Sequence, residues 1–348
     1  MNNIKIDTFE IGKDSPPFIV AEAGINHNGE LEKAYEMICT AKQCGVDAIK
    51  FQTFKAGEFI ADSKQMFTYQ SQGKEVTESM LTMFQRYEFS CDEWFLIKKK
   101  CDEQGILFLS TPQNKSDLEI LLELNITAIK VGSDDLTNLP LLKDYANTGL
   151  PMVISCGMSD LAEVYQALDV IGSLDGYPTI LLLCTSQYPT PAEDVNLLKF
   201  KTLSSAFPQI VMGFSDHTQG SLASSLAVAF GAKFFEKHFT LDHQLSGPDH
   251  WFSEDPEGLK HWVDTIRQAW LMMGSNIVRP TALEIQNKHE FQRVIVASSP
   301  IKKGDKLTVE NLTMRRISGG KGLSASLYNI VLGKIANRKF YKYEAIEL

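Results

Sequence analysis

The sequence predicts an α/β protein: a closed (β/α)8 barrel followed by a small β-rich module. Three observations point there. Eight short apolar runs alternate with amphipathic stretches from residue 18 onward, polar residues gather where those runs end, and beyond residue 290 the rhythm changes to short strands separated by tight turns.

The runs lie at residues 18–21, 48–51, 107–110, 128–131, 152–155, 180–184, 210–213 and 233–236. Strands alternating with helices pair in parallel through right-handed crossovers. Eight such units in roughly 250 residues suit a TIM barrel, with an open doubly wound sheet as the competing arrangement. A barrel makes a further demand, because its chemistry gathers at the C-terminal ends of the strands. Here the runs lead in turn to Glu22, to Lys50 and Gln52, to Ser110 and Thr111, to Lys130 and Ser133, and to Ser155. The last three lead to Thr185, Ser186 and Tyr188, to Ser215 and His217, and to Lys237 and His238. Between the second and third runs, residues 55–90 form a connection much longer than its siblings, read either as a wall or lid of the site or as surface elaboration. The expected organisation is a barrel over 1–274, a polar link over 275–290 and a module of about 58 residues over 291–348, marginal in stability if left alone.

Hydrophobic residues at 44% and charged residues at 22% are those of a soluble globular protein. A net charge of −9 argues against a general nucleic-acid binder but leaves room for a local cationic pocket. The expected partner is a metabolite, not nucleic acid and not a membrane. Charged residues from Lys5 to Asp14 precede any apolar run, which does not suit a signal peptide or a membrane span. Six cysteines without C-x-x-C spacing read as buried free thiols in a reducing compartment, so a cytoplasmic location is expected.

The stretch from Gly213 to His250 concentrates the chemistry. His217 and His238 each follow an apolar run. Two neutral imidazoles at neighbouring strand ends can share one divalent ion while leaving positions for water and substrate oxygens; the alternative is strand-end histidines bonded to backbone. Lys50 and Lys130 sit inside AIKFQ and AIKVGS, runs that otherwise read as buried, and a buried lysine needs a partner. A phosphate or carboxylate held by two lysines, Thr111 and serine hydroxyls would supply one. A Schiff-base lysine and internal salt bridges to Glu22 or Glu236 are the alternatives. Glu22 opens EAGINHNG, where it can accept from substrate hydroxyls or act as a general base, whereas Asn26, His27 and Asn28 read equally as a cap on the following helix. Asp249 follows the Gly247-Pro248 turn, which could aim it at a metal-associated water.

EAGINHNG, DAIKFQTF, FLSTP, IKVGS, CTSQYPTP, GFSDHT, EKHFTLD and GPDH occur in this order, and together they resemble the sialic acid synthase family. The resemblance spans essentially the whole chain, including a C-terminal module that looks like the family's antifreeze-like (SAF) domain. It implies condensation of phosphoenolpyruvate with an N-acylated mannosamine-type sugar or a 2,4-diacetamido-trideoxyhexose. The products would be phosphate and a nine-carbon 2-keto acid of the sialic, legionaminic or pseudaminic type. It also implies a divalent metal, commonly Mn2+ with Mg2+ or Co2+ as alternatives, held by His217 and His238 and polarising the open-chain aldehyde for attack by carbon three of phosphoenolpyruvate. By motif position Lys50, Thr111, Lys130, Ser133, Ser155, Ser186 and Ser215 would line the phosphoenolpyruvate site, and Glu22, Gln52, Tyr188 and Asp249 would face the sugar or the metal water.

Members of this family are domain-swapped homodimers in which one chain's SAF domain covers the other's barrel mouth and offers an arginine to the sugar's acyl group. Arg316 matches that position, although the usual Arg-Pro-Gly reads Arg316-Ile317-Ser318 here. Ser133-Asp134-Asp135 replaces the common Ser-Gly-Glu and STPQN replaces STPFD, which leaves the acceptor open; the lack of a further basic pair favours an unphosphorylated one. Two other functions compete. A phosphoenolpyruvate-condensing aldolase for an aldose phosphate would not need the C-terminal module, and a non-catalytic sugar sensor would not need the full set of rim residues.

Overall fold

A computed structural model of the chain describes residues 3–319 and 321–348. The chain divides into two compact units, Met1–Gly274 and Ser275–Leu348.

The first unit is a ring of eight parallel strands: β1 (Phe18–Gly24), β2 (Ala48–Thr53), β3 (Leu107–Pro112), β4 (Ile129–Val131), β5 (Met152–Ser155), β6 (Thr179–Cys184), β7 (Val211–Ser215) and β8 (Phe234–His238). Hydrogen-bonded ladders run β3-β2-β1-β8-β7-β6-β5-β4, all in parallel register. β3 and β4 lie side by side where the ring meets itself. This is the near-closed TIM barrel that the strand–helix rhythm predicts.

A period of two places alternate residues of each strand inside the ring. The inward columns start apolar: Phe18 and Val20, Ala48, Leu109, Ala128, Val153, Ile180 and Leu182, Val211, and Phe234 form one buried cluster. Ile4, Ile6 and Ile11 of an N-terminal hairpin (Ile4–Ile6 with Phe9–Ile11) join that cluster and plug the barrel floor. One step further along, the same columns turn polar, presenting Glu22, Lys50, Thr111, Lys130, Ser155, Ser215 and Glu236, all buried. The outward columns, with Ile19, Ile49, Phe108, Ile154, Leu181 and Phe235 among them, pack under helices that contribute Trp94, Tyr145 and Trp262. The helix Leu31–Cys44 illustrates how these form: Ala34, Met37, Ile38, Ala41 and Cys44 make one apolar face, and Gly45 stops the helix at φ +85.

Residues 55–90 contain an antiparallel hairpin, Met66–Ser71 with Lys74–Ser79. Asn26, His27 and Asn28 do not cap the next helix. Glu30 holds the N-cap position, whereas the buried His27 stacks on Phe89 at 4.4 Å and Asn26 Nδ2 donates to Phe239 O at 2.8 Å. Free cysteines are mostly buried as expected, but Cys91, at the start of the helix Cys91–Gln104, is exposed.

The second unit starts with a helix, Ala282–Phe291, opened by a capping box between Thr281 and Glu284, inside the stretch read from sequence as a polar link. Strands Val294–Ala297 and Leu312–Arg315 pair antiparallel, and Ile295, Ile301, Leu307, Val331, Phe340 and Ile346 form their own core. Among the described residues no helix is long and apolar enough to cross a membrane.

Gly213 stands in the inward column of β7. A Cβ there would lie 2.7 Å from Phe234 O and 2.9 Å from Phe234 Cβ, on a neighbouring strand whose backbone cannot yield. Gly213→Ala is expected to lower stability by about 2 kcal/mol through overpacking. Urea unfolding of the full chain checks this, and an unchanged midpoint would show that the barrel wall gives way.

Candidate active site

The polar layer of the barrel opens into a cavity of about 410 Å3 at the C-terminal ends of the strands. Twelve of the residues read from sequence line it: Glu22, Lys50, Gln52, Thr111, Lys130, Ser133, Ser155, Ser186, Tyr188, Ser215, His217 and His238. Asp249 borders an adjoining chamber that shares Gln52, Tyr188 and His238. Arg316 belongs to the second unit, where its Nε donates to Phe291 O at 2.8 Å and its guanidinium lies over the Phe291 ring.

Charge balance dominates the floor of this cavity. Lys50 Nζ lies 2.6 Å from Glu22 Oε2 and 3.5 Å from Glu236 Oε2, and it donates to Thr111 Oγ1 at 3.3 Å. Lys130 Nζ donates to Ser155 Oγ at 2.8 Å and Val131 O at 2.9 Å, with Glu236 Oε1 at 3.8 Å. The internal salt bridges weighed from sequence are therefore present, and they coexist with an open, donor-rich cavity. Burial opposes the Lys50 charge, but Glu22 and Glu236 outweigh it and hold the ammonium above its ordinary pKa. At Lys130 burial wins and the pKa falls. The two carboxylates diverge: burial raises Glu22, whereas Lys130 and Lys50 overcome burial at Glu236 and hold it down to about 2.

Above the floor, His217 and His238 face each other with ring centroids 5.6 Å apart, and Tyr188 covers His217 at 4.1 Å. His217 Nδ1 lies 2.7 Å from Thr185 O, a contact that requires the proton on Nδ1 and turns Nε2 towards Ser215 Oγ at 3.3 Å. Burial is opposed there by Cys184 and the Thr185 carbonyl, which raise the His217 pKa. Burial, then the nearby His217 and Lys50, keeps His238 well below its ordinary value and hence neutral. Its buried Nδ1 has no hydrogen-bond partner and lies 3.8 Å from Asp249 Oδ2. Burial and then Glu22 push the Asp249 carboxyl up to about 7.

This geometry fits a divalent cation between the histidines. With metal–nitrogen distances of roughly 2.1 Å, two imidazoles on one ion bring their ring centroids to about 5–6 Å, and the orphaned His238 nitrogen lacks any other ligand. Among the described residues no group of three or more His, Cys, Asp or Glu side chains is arranged as a metal site.

Serines 133 and 186 converge because Gly157 lets them: a Cβ on Gly157 would lie 2.7 Å from Ser133 Oγ, which instead accepts from the Gly157 N–H at 3.0 Å. Lys237, counted among the rim residues from sequence, points the other way. It is buried against Asp216 at 3.3 Å and Glu254 at 3.6 Å, as alternation from Glu236 and His238 requires. Glu236 is the residue that sequence reasoning undervalued. Its signal was present, since it stands two residues before His238 and two after Phe234, on the same inward column.

The counter-ion role of Glu236 gives a stability prediction. Glu236→Gln keeps the shape but leaves two buried ammonium groups with one carboxylate, and about 3 kcal/mol should be lost. Guanidinium unfolding at neutral pH measures it; a loss under about 0.5 kcal/mol would mean that the lysines are not held by this carboxylate.

The sequence matches the NeuB family over residues 37–278 and the SAF domain over residues 292–346. An uncharacterised protein of Methanocaldococcus jannaschii is 42% identical, covering 97% of this chain and 96% of its own length. The N,N'-diacetyllegionaminic acid synthase of Campylobacter jejuni is 39% identical over 94% of this chain and 98% of its own. Other relatives are named N-acetylneuraminate-9-phosphate synthase and pseudaminic acid synthase. Among solved structures, the N-acetylneuraminic acid (sialic acid) synthetase of Leptospira borgpetersenii superposes with a TM-score of 0.73 at 32% identity, covering 83% of this chain and 97% of that one. A barrel with this rim, a matching C-terminal module and relatives aligned over nearly their full length lead to one conclusion: the chain belongs to the NeuB family, with a SAF domain at its C-terminus, and is an enzyme of the sialic acid synthase kind.

Proposed function

We propose that the protein condenses phosphoenolpyruvate with the open-chain aldehyde of an N-acylated amino sugar, releasing phosphate and a nine-carbon 2-keto acid. The observation that carries this reading is the buried layer of Lys50, Lys130, Thr111, Ser155 and Ser215 beneath the two histidines. Ammonium and hydroxyl donors converging in one cavity suit a ligand with both a carboxylate and a phosphate. Lys130, Ser155, Ser133 and Ser186 would hold one anionic end and Lys50 with Thr111 the other, placing carbon three toward the mouth. There Gln52, Tyr188 and Asp249 border the chamber in which an acceptor would lie.

The floor is nearly neutral before any ligand enters, because Glu22 and Glu236 already balance the two lysines. A divalent cation on His217 and His238 would supply the missing positive charge and polarise the acceptor's carbonyl oxygen. In the balanced reaction, carbon three of phosphoenolpyruvate bonds to the aldehyde carbon, water adds at carbon two, and the bond between carbon two and the phosphate oxygen breaks. Asp249, with its carboxyl held near neutral pKa, is suited to exchange a proton with that water or with the new hydroxyl.

Phosphate release from phosphoenolpyruvate in the presence of Mn2+ and an N-acylated amino sugar is the direct test. Release should stop in excess EDTA and return with added Mn2+, and Lys130→Ala should raise the KM for phosphoenolpyruvate at least about tenfold. Full activity in EDTA would refute metal dependence, and an unchanged KM would remove Lys130 from the anion site.

The same proposal includes a homodimer in which the second unit, with Arg316, completes the partner's acceptor site. Sedimentation should give a dimer at assay concentration, and Arg316→Ala should raise the KM for the acceptor while leaving that for phosphoenolpyruvate unchanged. A monomer with full activity would contradict it.

A further inference from the structure

Asp249 stands in the connection between β8 and the helix Pro256–Met273, a stretch over 239–255 without a helix or strand of its own. Its carboxylate nonetheless reaches the rim. A Cβ built on Gly24 of β1 would lie 3.7 Å from Asp249 Oδ2 and 3.5 Å from Glu22 Oε1, so both carboxylates flank the same glycine. A reacting group carried on so long a loop needs support to stay within about half an ångström of its place. The loop's ends close on each other, since Glu254 N–H donates to His238 O at 2.8 Å and Thr240 N–H to Glu254 O at 2.9 Å. That makes an Ω-type loop but leaves its interior, with Asp249, to be held by side chains.

His250, the next residue, is 1% exposed and joins two segments. Its Nε2 lies 3.1 Å from Asn28 Oδ1, on the loop after β1, and its Nδ1 lies 2.7 Å from Thr240 Oγ1, two residues beyond His238. The two contacts fix the tautomer. Nε2 donates to the Asn28 amide oxygen, and Nδ1 accepts from the Thr240 hydroxyl in preference to that hydroxyl's longer contact to Asp242 O at 3.1 Å. Burial and then Lys33 hold the His250 pKa down to about 4, so the ring is neutral, as one donor and one acceptor require. Gly247 makes room for it: a Cβ there would lie 2.8 Å from His250 Cδ2 and 3.2 Å from Asn28 Oδ1.

The other flank of Asp249 is tied to the same β1 loop. Ser253 Oγ donates to Asp249 O at 2.6 Å and accepts from Asn26 Nδ2 at 3.0 Å. Further out, Gly247 N–H donates to Ser71 Oγ at 3.1 Å and Gln72 Nε2 to Gln244 O at 2.8 Å, which fastens the loop to the hairpin. His250, Asn28, Thr240 and Ser253 lie outside the lining of both cavities, so any effect they have on the chemistry passes through the residues they hold. We infer that His250 is a positioning residue: bridging Asn28 and Thr240, it holds the adjoining Asp249 at the rim beside His238 and Glu22, and so sets the rate of the condensation and not the binding of phosphoenolpyruvate. This inference rests on the role proposed above for Asp249 and adds the residues that keep it in place. A displacement of about 1 Å at a reacting group can cost on the order of a hundredfold in rate.

The test measures kcat and KM by phosphate release from the full-length enzyme with Mn2+, phosphoenolpyruvate and either N-acetylmannosamine or 2,4-diacetamido-2,4,6-trideoxymannose. His250→Phe keeps a ring and removes both bonds; it should lower kcat at least about thirtyfold while changing the KM for phosphoenolpyruvate less than about twofold. Thr240→Val should lower kcat about tenfold, and Thr240→Ser, which keeps the hydroxyl, should retain most of it. In an Asp249→Asn background His250→Phe should cost less than about threefold more, because the carboxylate it places is already gone. A residue with a merely structural role would cost the same in both backgrounds. Unchanged kcat in folded His250→Phe and Thr240→Val, or an equal loss in both backgrounds, would overturn the inference and leave the condensation standing. Full activity of Asp249→Asn would remove Asp249 from the proposed reaction, and no phosphate release by the unaltered enzyme with either sugar would defeat the condensation; either result takes this inference with it.

Discussion

Two ammonium groups buried in the barrel, balanced by two carboxylates, are the constraint on which the rest of this structure depends. An isolated buried charge costs several kcal/mol, so Lys50 and Lys130 can occupy the inward columns only while Glu22 and Glu236 stand opposite them. Four different strands must then bring those groups within 4 Å, which ties the chemistry to closure of the ring. The apolar layer below, sealed by Ile4, Ile6 and Ile11, keeps water from the underside of this network. What is left is a set of cations and hydroxyls already oriented toward the mouth, whose ordering cost is met when the chain folds and not when a ligand arrives.

The polar layer also explains the division of labour above it. Since its charges cancel, an incoming polyanion gains hydrogen bonds there but little net attraction, and the histidine pair at the rim is where additional positive charge can be held. His238 stays neutral with an unpaired nitrogen, and His217 has its tautomer set by Thr185. Beyond the histidines the lining becomes aromatic and acidic. The lining thus runs from the charge-balanced lysines through the histidine pair to aromatic and acidic side chains.

Much of this was legible from the residues. Eight apolar runs ending in polar residues specify the barrel, because period-two alternation and the rule that chemistry sits at strand ends act on short local segments. The same logic placed Glu22, Lys50, Lys130, His217 and His238 around one mouth. It undervalued Glu236, whose place in the inward column needs the phase of β8, and it admitted Lys237, which that phase sends outward. It left open a helix cap for Asn26 to Asn28, whereas long-range contacts to Phe89 and Phe239 fix His27 and Asn26. The hairpin wall was the least legible. Its exposed, polar sequence is compatible with any surface ribbon, and only the bonds from Ser71 and Gln72 to the segment before Asp249 turn it toward the site.

The central claim is that a charge-balanced floor binds phosphoenolpyruvate productively only when a divalent cation adds positive charge at the histidines. Isothermal titration of phosphoenolpyruvate into the full-length protein, with and without Mn2+, tests it most directly because it needs no acceptor and no turnover. Binding should be at least about tenfold tighter with Mn2+, and His238→Ala should abolish that gain. Equal affinity in EDTA and in Mn2+ would show that the lysines and hydroxyls hold the anion unaided, and would contradict the account.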